Sequence, residues 1–332
     1  MFTKTRCIVS CIAVCVVAQA VTAGSLNVQL KANKSLYICG EPILLKTDIT
    51  NPSGEDFKGK SPGYGWGADF GFTMDIAFGE DEFTNILHPQ VWHGLGVRMV
   101  PMGLESFDDR HGLPRSLSVG QAATRLDMLI MSKPGDYKLR ALLKDPDGTA
   151  YVSEPIQMRV IPMAQKYDSA SQLGGQEFLM KLGSSILFGH YMQRFFGAPG
   201  KSLKGEEFEQ VAAIILDKHK DSIFREYVMY ADIMTHYRPD TTTHELINGR
   251  KNLAERFVKE YPESWLLPDV YRKLFWTYVA EKDRKKAEQV RNKALEIAPN
   301  ATVLKEVREF GPVVLKELQQ AEAEPVQNKT KP

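Results

Sequence analysis

Three histidines and two aspartates lie near one another in the sequence, and their side chains are of the kinds that bind metal ions. His88, His93 and His111, with Asp108 and Asp109, offer imidazole nitrogens and carboxylate oxygens, which bind zinc or iron. A proline follows the first histidine and a glycine follows the second, so a rigid helix or strand would not present both rings. We therefore expect surface histidines and no bound metal or other cofactor, with a metal site at these three histidines as the alternative.

Glycines alternate with aromatic residues in the preceding segment, residues 58–71. Tyr64, Trp66 and Phe70 offer flat amphipathic rings of the kind that stack on sugars or peptides, and the glycines leave the backbone free to present them. Trp92 offers a fourth such ring. We predict ligand contact at these four aromatic residues. The alternative is that Trp66 and Phe70 pack against the edge of the fold.

Residues 54–61, Gly-Glu-Asp-Phe-Lys-Gly-Lys-Ser, match the phosphate-loop pattern G-x-x-x-x-G-K-[ST]. That loop binds phosphate only when a helix begins at its lysine and points backbone N–H groups at the ligand. Pro62 and Gly63 follow immediately and prevent such a helix. The match is therefore a coincidence, and we predict no nucleotide site. The chain has no H-E-x-x-H zinc-protease pattern either, and we predict no catalytic residue.

The charge balance excludes one class of partner. The chain has 332 residues, with 42 Lys and Arg against 41 Asp and Glu, and a formal net charge of +1. A nucleic-acid-binding protein needs a basic patch that follows the phosphate backbone, and this balance argues against one. We therefore expect no nucleic-acid partner.

The length suggests two domains, at about 150 residues each.

Residues 1–23 have the three parts of a secretory signal peptide. Lys4 and Arg6 precede an apolar stretch, and a small-residue cleavage pattern ends at Ala23. The stretch is shorter than the roughly 20 residues that a bilayer span takes. We predict export to the periplasm or the extracellular space, with no membrane embedding after cleavage. Three of the 4 cysteines leave with the signal, so Cys39 is expected to be a small buried residue without a disulfide.

Residues 24–162 alternate apolar and polar side chains with a period of two. Phe72, Met74 and Ile76 form one such set, and turn residues separate it from the next. Short strands with one apolar face predict two sheets packed face to face, a β-sandwich. Residues 57–117 depart from the regular spacing and are predicted to form a long insertion between strands.

Both ends of this half resemble a known domain. Segments 37–43 and 49–51, together with 135–141 and 153–156, resemble the first and last strands of immunoglobulin-like domains in exported bacterial proteins. The resemblance implies an immunoglobulin-like β-sandwich and names no ligand. The Cys…Trp…Cys pattern of antibody domains is absent.

Residues 163–320 change to a period of 3.6, which predicts helices, and residues 321–332 are predicted to be a disordered tail. Within the helical half, residues 268–301 resemble a tetratricopeptide repeat, a helix–turn–helix unit that stacks on its neighbours. Phe275 and Arg291 depart from the repeat signature. The matching positions are Tyr271, Leu274, Tyr278, Ala287, Ala294 and Pro299.

These observations predict a multidomain β + α protein, an immunoglobulin-like β-sandwich followed by an α-helical, tetratricopeptide-like domain. Both architectures present surfaces for extended partners, and no convergent catalytic set accompanies them. The leading hypothesis is an exported, non-enzymatic interaction protein that binds another protein. The alternatives are a secreted metal-dependent hydrolase that uses residues 57–117, and a carbohydrate-binding protein that uses the glycine- and aromatic-rich loop.

Overall fold

The computed structural model describes residues 26–58, 72–86, 98–101, 116–145, 147–162, 168–196, 203, 205–234 and 244–323. In these ranges the N-terminal half forms strands and the C-terminal half forms helices, which confirms the predicted mixture of β-sheets and α-helices. The predicted signal peptide lies outside the described residues. None of the helices in the described ranges is both long and apolar enough to cross a membrane.

The strands are β1 Asn27–Ala32, β2 Leu36–Ile38, β3 Ile43–Thr50, β4 Phe57–Lys58, β5 Phe72–Phe78, β6 Thr84–Asn85, β7 Arg98–Pro101, β8 Ser116–Leu117, β9 Ala122–Ile130, β10 Gly135–Lys144, β11 Ala150–Val152 and β12 Ile156–Ile161. The helices are α1 Gly175–Phe196, α2 Gly205–Lys218, α3 Arg225–Met234, α4 His244–Glu260, α5 Leu267–Ala280, α6 Arg284–Ile297, α7 Lys305–Glu309 and α8 Gly311–Ala323. Two 3₁₀ turns, Ser169–Leu173 and Thr302–Leu304, precede α1 and α7.

The strands form two main sheets. The first sheet has the order β1-β3-β9-β7, and the second has the order β2-β12-β10-β5-β6, with β11 paired to the far end of β10. Strands β4 and β8 form a separate ribbon. Among these pairs, β2 and β12 run parallel and the others run antiparallel.

Alternate residues of both sheets fill one buried core. Met74 and Ile76 of β5, Leu139 of β10 and Leu45 of β3 are completely or almost completely buried in it. Each such apolar side chain contributes about 1.5–3 kcal/mol when it leaves water. Strand β5 pairs with β10 along its whole length, so the region 57–117 is not one continuous insertion. The alternating apolar residues of β5 make it an integral strand.

The first sheet is also buried on its other face, where the helices pack. Leu44 of β3 and Met128 and Ile130 of β9 point away from the inter-sheet core and join the apolar cluster of the helical half. Leu179 and Leu182 of α1 belong to the same cluster. The sheet therefore forms the middle layer between the second sheet and the helices.

The helices after α1 pack against their neighbours in chain order. Helices α5 and α6 form an antiparallel hairpin in which Ala287 and Ala294 are fully buried, because small side chains allow the two helices to approach closely. Asp283 caps α6 by accepting a hydrogen bond from the N–H of Lys286.

The last helix is longer than the sequence predicts. A disordered tail was expected from residue 321, but α8 continues through Ala323. Alanine and glutamate favour helix, and Glu322 on this last turn pairs with Arg284 of α6 at 2.9 Å. Local propensity and one ion pair therefore extend the helix beyond the apolar pattern.

The far end of the helical half also contacts the first sheet. The backbone N–H of Thr124 in β9 donates to the carbonyl of Asn300 at 2.8 Å, and Thr124 forms a parallel β-bridge with Ala301. The 3₁₀ turn Thr302–Leu304 follows directly and packs against β9. Both α1 and the segment after α6 therefore rest on the same strand.

Two glycines form the closest contact between the sheets and the helices. A Cβ atom at Gly183 of α1 would lie 1.9 Å from the carbonyl oxygen of Gly40. Gly40 itself has a φ of +84°, and a Cβ there would lie 3.0 Å from the Cα of Met180. The N–H of Gly40 donates to the carbonyl of Met131 at 2.9 Å, and that of Cys39 to Ile161 at 3.0 Å. This turn thus ties both sheets to α1.

A charged pair lies inside the inter-sheet core. Arg125 and Asp127 of β9 are buried, and the Nε of Arg125 lies 3.0 Å from both carboxylate oxygens of Asp127. The guanidinium also stacks over the ring of Phe72 at 4.5 Å. The two opposite charges neutralise each other, and this allows them to lie in an apolar core. The free energy lost when both groups leave water offsets much of their mutual attraction.

We expect Gly183→Ala to lower the free energy of unfolding by about 1–3 kcal/mol, because its methyl group overlaps a backbone carbonyl that cannot rotate away. The matched control is Gly249→Ala, since Gly249 lies in α4 with no atom within 4 Å of its added Cβ. Alanine should stabilise that exposed helix by about 0.5–1 kcal/mol. Urea denaturation of both variants measures the difference. Equal effects at the two positions would contradict the contact.

Candidate functional site

The side chains that the sequence predicts as ligand or metal contacts lie outside the described residues. They are Tyr64, Trp66, Phe70, Trp92, His88, His93 and His111. Within the described ranges, no group of three or more His, Cys, Asp or Glu side chains is arranged to hold a metal ion. Cys39 is buried and free of any disulfide, and burial raises the pKa of its thiol. A buried, protonated thiol is a poor nucleophile.

The described residues bring a different set of polar groups together, where the sheets meet α3. We call this set the junction cluster. Its members are Asn33, Lys34, Tyr37, Glu41, Glu226, Tyr227 and Ser264. Tyr37 lies in β2, and Asn33, Lys34 and Glu41 lie in the turns on either side of that strand. The others lie on α3 and in the loop before α5.

Asn33 is the hydrogen-bonding centre of the cluster. Its Oδ1 accepts from the hydroxyl of Tyr37 at 2.8 Å and from the N–H of Leu44 at 3.1 Å. Its Nδ2 donates to the hydroxyl of Tyr227 at 3.1 Å. One amide therefore fixes the β1–β2 turn and also crosses to the helical half.

Glu41 holds the two turns around β2 together. Its Oε1 lies 2.6 Å from the Nζ of Lys34, and its Oε2 accepts from the N–H of Ile38 at 3.0 Å. Burial raises the pKa of this carboxyl, Lys34 and the Ile38 N–H oppose the rise, and the charge of Asp168 adds to it. Desolvation is therefore the dominant influence on Glu41.

Glu226 reaches the cluster from α3. It accepts a hydrogen bond from the hydroxyl of Ser264, and burial raises its pKa despite that bond and the positive charge of Lys34. Burial also raises the pKa of the neighbouring Tyr227 well above its ordinary value, and the charges of Glu41 and Glu226 contribute. Two carboxyl groups from opposite sides of the junction thus act on the same tyrosine.

The pKa of a nearby carboxyl group, that of Glu260, is shifted in the opposite direction. Burial disfavours the charged form of Glu260, but hydrogen bonds from Arg225 and Arg256 outweigh it and lower the pKa of this group. The Nη1 of Arg225 lies 2.6 Å from Glu260 and donates to the hydroxyl of Tyr261 at 2.9 Å. Glu260 therefore has two guanidinium partners, whereas Glu41 and Glu226 are both influenced by the single ammonium of Lys34.

Asp168 connects the chain segment after the sheets to the start of α3. It accepts from the N–H of Ala170 at 2.8 Å, the hydroxyl of Ser222 at 2.9 Å and the N–H of Ile223 at 2.8 Å. The carboxylate is buried. It acts as an N-cap for the 3₁₀ turn and satisfies groups of a distant loop at the same time.

The geometry of the junction cluster suits a structural joint rather than acid–base chemistry. Its carboxyl groups accept hydrogen bonds from neighbouring side chains or backbone, and they are buried or partly buried. One feature of the sequence points to it, the Gly-Glu-Pro turn at Glu41, which places an acid beside a buried strand. Its partners on α3 are distant in sequence, so spacing alone could not reveal the cluster.

The C-terminal helices carry exposed apolar side chains. Phe310 directly precedes α8, Val313 lies three residues later in the first turn of that helix, and the two residues are 51% and 55% exposed. Residues with this spacing lie on one side of a helix. Ile297 at the end of α6 is 41% exposed. We call Phe310 and Val313 the α8 apolar pair.

No protein-family model and no curated protein sequence matches the chain. Among solved structures, it is similar to the sporulation control protein Spo0M of Bacillus subtilis, at 12% identity over 42% of this chain and 51% of that chain, with a TM-score of 0.24. A family 123 glycoside hydrolase of Clostridium perfringens is 9% identical over 43% of this chain and 28% of that chain, with a TM-score of 0.23. An α-2-macroglobulin of Escherichia coli is 12% identical over 88% of this chain and 24% of that chain, with a TM-score of 0.21. The chain thus spans about half of the first protein and less of the other two.

We expect Asp168→Ala to be more destabilising than the loss of an ordinary helix cap. The substitution leaves the Ser222 hydroxyl and the Ile223 N–H without their acceptor, and each buried group left unsatisfied costs about 1–3 kcal/mol. The control is Asp283→Ala, which removes the cap of α6 at about 1 kcal/mol. Urea denaturation measures both losses. Similar losses in the two variants would show that Asp168 acts only as a cap.

Proposed function

We propose that the chain is an exported, non-enzymatic interaction protein that binds a protein partner through its helical half. The observation that carries the proposal is the α8 apolar pair. A series of stacked helices needs a polar outer face at its last helix to remain soluble alone. Phe310 and Val313 are instead more than half exposed there. An apolar surface on a partner would remove both side chains from water.

We propose further that the two halves are an immunoglobulin-like β-sandwich and a tetratricopeptide-like helical domain. The single core shared by both sheets supports the first assignment. The α5–α6 hairpin supports the second, because Ala287 and Ala294 stand where the repeat pattern requires small residues.

The two departures from the repeat pattern have structural explanations. Phe275 occupies the position where a glycine is usual, and it is fully buried with its ring 4.9 Å from that of Trp276. Arg291 replaces an aromatic residue, and its Nε donates to the carbonyl of Val307 at 3.2 Å, just before α8. Arg291 thus connects the hairpin to the C-terminal helices, which supports a variant repeat whose last helix is held in a fixed position.

Export remains a proposal that rests on the N-terminal residues. Lys4, Arg6 and the apolar stretch after them are typical of a signal peptide that is cleaved after Ala23. A periplasmic or extracellular location follows. N-terminal sequencing of the protein from an exported fraction should begin at Gly24, and an intact leader on the mature protein would contradict cleavage.

We expect a photo-crosslinking residue at position 313 to capture a partner in living cells. Placing p-benzoylphenylalanine at Val313 should give discrete adducts of higher mass on denaturing gels. The matched control is the same residue at Val119, which is 51% exposed in the turn before β9 and lies on the other half. Adducts at both positions alike, or none at position 313, would contradict the proposed surface.

A second variant tests the same surface with the captured partner in purified form. Val313→Asp should weaken binding by about tenfold or more, because a carboxylate buried without a partner costs at least about 1–2 kcal/mol. The fold should be unaffected, since Val313 is 55% exposed. Isothermal titration calorimetry measures the affinity, and circular dichroism checks the fold. Unchanged affinity would exclude the α8 apolar pair from the interface.

A further inference from the structure

We propose that β1 is a docking edge, where an extended segment of another protein adds a strand to the first sheet and places an acidic side chain beside Lys31. The added segment alternates apolar and polar residues. This edge lies in the strand half of the chain, whereas the α8 apolar pair lies in the helical half. The two surfaces are therefore tested separately, and either can fail without the other.

Strand β1 is the longest outer strand of the two main sheets in the described ranges. It has 6 residues and pairs with β3 on one side. The outer strands β2, β6, β7 and β11 have 3, 2, 4 and 3 residues, and β7 ends at Pro101, which has no N–H to donate. Short outer strands and prolines prevent a sheet from pairing with other chains. Strand β1 has neither of these protections.

The free side of β1 presents backbone groups that are not hydrogen-bonded. The N–H of Asn33 donates to the carbonyl of Leu44 at 3.1 Å, one residue beyond the β1–β3 ladder and in the same register. Because bonded residues alternate along an antiparallel pair, every second residue from Asn33 back to Asn27 points its N–H and C=O groups to β3. The groups of the other residues point away, and no backbone hydrogen bond within the described ranges reaches them. These residues are Val28, Leu30 and Ala32.

A strand added at this edge has two different sides. Val28 and Leu30 point their side chains into the inter-sheet core, so alternate residues of the added strand lie at the margin of that core and are apolar. The residues between them lie beside Asn27, Gln29 and Lys31, which are exposed. These residues of the added strand are polar, and the two requirements together give a period of two.

The charges on the exposed side favour an acidic residue in the added strand. The side chain of Lys31 is 52% exposed, and Lys46 of β3 lies directly opposite it in the ladder. Like charges in this position repel each other. The carboxylate of Asp48 lies 3.3 Å from the Nζ of Lys31 and supplies one negative charge beside the two lysines. A carboxylate on the other side of Lys31 would complement the remaining positive charge.

The same charges disfavour a second copy of this chain as the occupant. Strand β1 contains no acidic residue. If two copies paired through β1, the exposed neighbours of Lys31 would be Asn27, Gln29 or Lys31 of the other copy. Pairing between copies would therefore leave the positive charge without a partner or bring two lysines together. A segment of a different protein that contains an acidic residue satisfies both the backbone and the charge.

Binding of synthetic peptides to the purified whole chain tests the proposal. The first peptide alternates valine and threonine and has one glutamate at a threonine position, and the second has lysine at that position. We expect the glutamate peptide to bind about fivefold or more tightly than the lysine peptide, because opposite charges on neighbouring strands attract and like charges repel. In the Lys31→Glu variant this preference should reverse. Fluorescence anisotropy measures the four affinities.

The matched control is Lys138→Glu. Lys138 also lies on a strand and pairs with a carboxylate, that of Glu80 at 3.4 Å, but it belongs to the second sheet. The substitution makes the same change in net charge and should leave the preference for the glutamate peptide unchanged. A reversal in this variant would show that net charge, and not the edge of β1, sets the preference, and would overturn the proposal.

A second variant tests the backbone of the edge. Ala32→Pro removes an N–H that points away from β3, so it breaks no bond of the β1–β3 ladder. It should weaken binding of the glutamate peptide about fivefold or more, through the lost hydrogen bond and the bulk of the ring. Circular dichroism checks the fold. Unchanged affinity in the folded variant would exclude pairing through this edge. If the variant does not fold, Lys31→Glu decides, since Lys31 is exposed.

Amide exchange, measured residue by residue by NMR, identifies which N–H groups the peptide covers. In the free protein, the N–H groups of Val28, Leu30 and Ala32 should exchange faster than those of Gln29 and Lys31, which point to β3. The glutamate peptide should slow the first three about tenfold when its concentration is about ten times its Kd. It should change the other two much less.

Four results would overturn the proposal. Slow exchange of the three outward N–H groups in the free monomer would mean that the chain covers its own edge. The same result in a dimer, detected by light scattering, would mean that a second copy covers it. The remaining two are absence of binding at about 1 mM peptide and a peptide preference that Lys31→Glu does not alter.

Discussion

The carbonyl oxygen of Gly40 occupies the space where a side chain at position 183 would begin, and the positions of the other layers follow from this contact. Two glycines allow a turn of the sheet region to touch the backbone of α1 directly. The same turn is hydrogen-bonded to Met131, the residue after β9, and to Ile161 of β12, so it is joined to both sheets. A single short segment therefore fixes three layers at once. Any shift of α1 along the sheet would have to break bonds in both sheets.

This arrangement covers β3 and β9 of the first sheet on both faces, whereas Asn27, Gln29 and Lys31 of β1 stay exposed. The covering of the two inner strands explains where the buried polar groups lie. Strands buried on both faces carry continuous apolar runs, as in Ile43–Leu45 and Met128–Met131. Polar side chains that fall between these layers must find partners inside the protein. Arg125 and Asp127 satisfy each other in the inter-sheet core, and the junction cluster does so at the boundary with α3. The buried charges are thus a consequence of stacking three layers.

The sequence allowed prediction of the elements better than of their contacts. The alternation of Tyr137, Leu139 and Ala141 marks β10 correctly, and each of these side chains is almost completely buried. Periodicity reports which face of an element is apolar, and it does so without knowledge of any partner. It also marked β5, although the region around that strand was predicted to be an insertion. The continuous apolar runs of β3 and β9 are the sequence feature that corresponds to the burial of these two strands on both faces.

The junction cluster could not be predicted, because Asn33 meets Tyr227 only after the chain has formed both halves. No spacing rule connects residues so far apart, and each of them is an ordinary surface residue by type. The aromatic loop and the histidines remain predictions that depend on residues outside the described ranges.

The hydrogen bond between Thr124 and Asn300 attaches the second end of the helical half to the sheet, so this half is held at both ends, like an arch. An open solenoid is free at one end and can stretch or twist like a spring, since each unit touches only its neighbours. Here the series begins at α1 and returns after α6, and both of its ends contact the same strand, β9. Pulling on the middle of an arch loads both supports together. The helices α2 to α6 are therefore expected to respond to force as one unit, and α8 packs against α5 and α6 at its end.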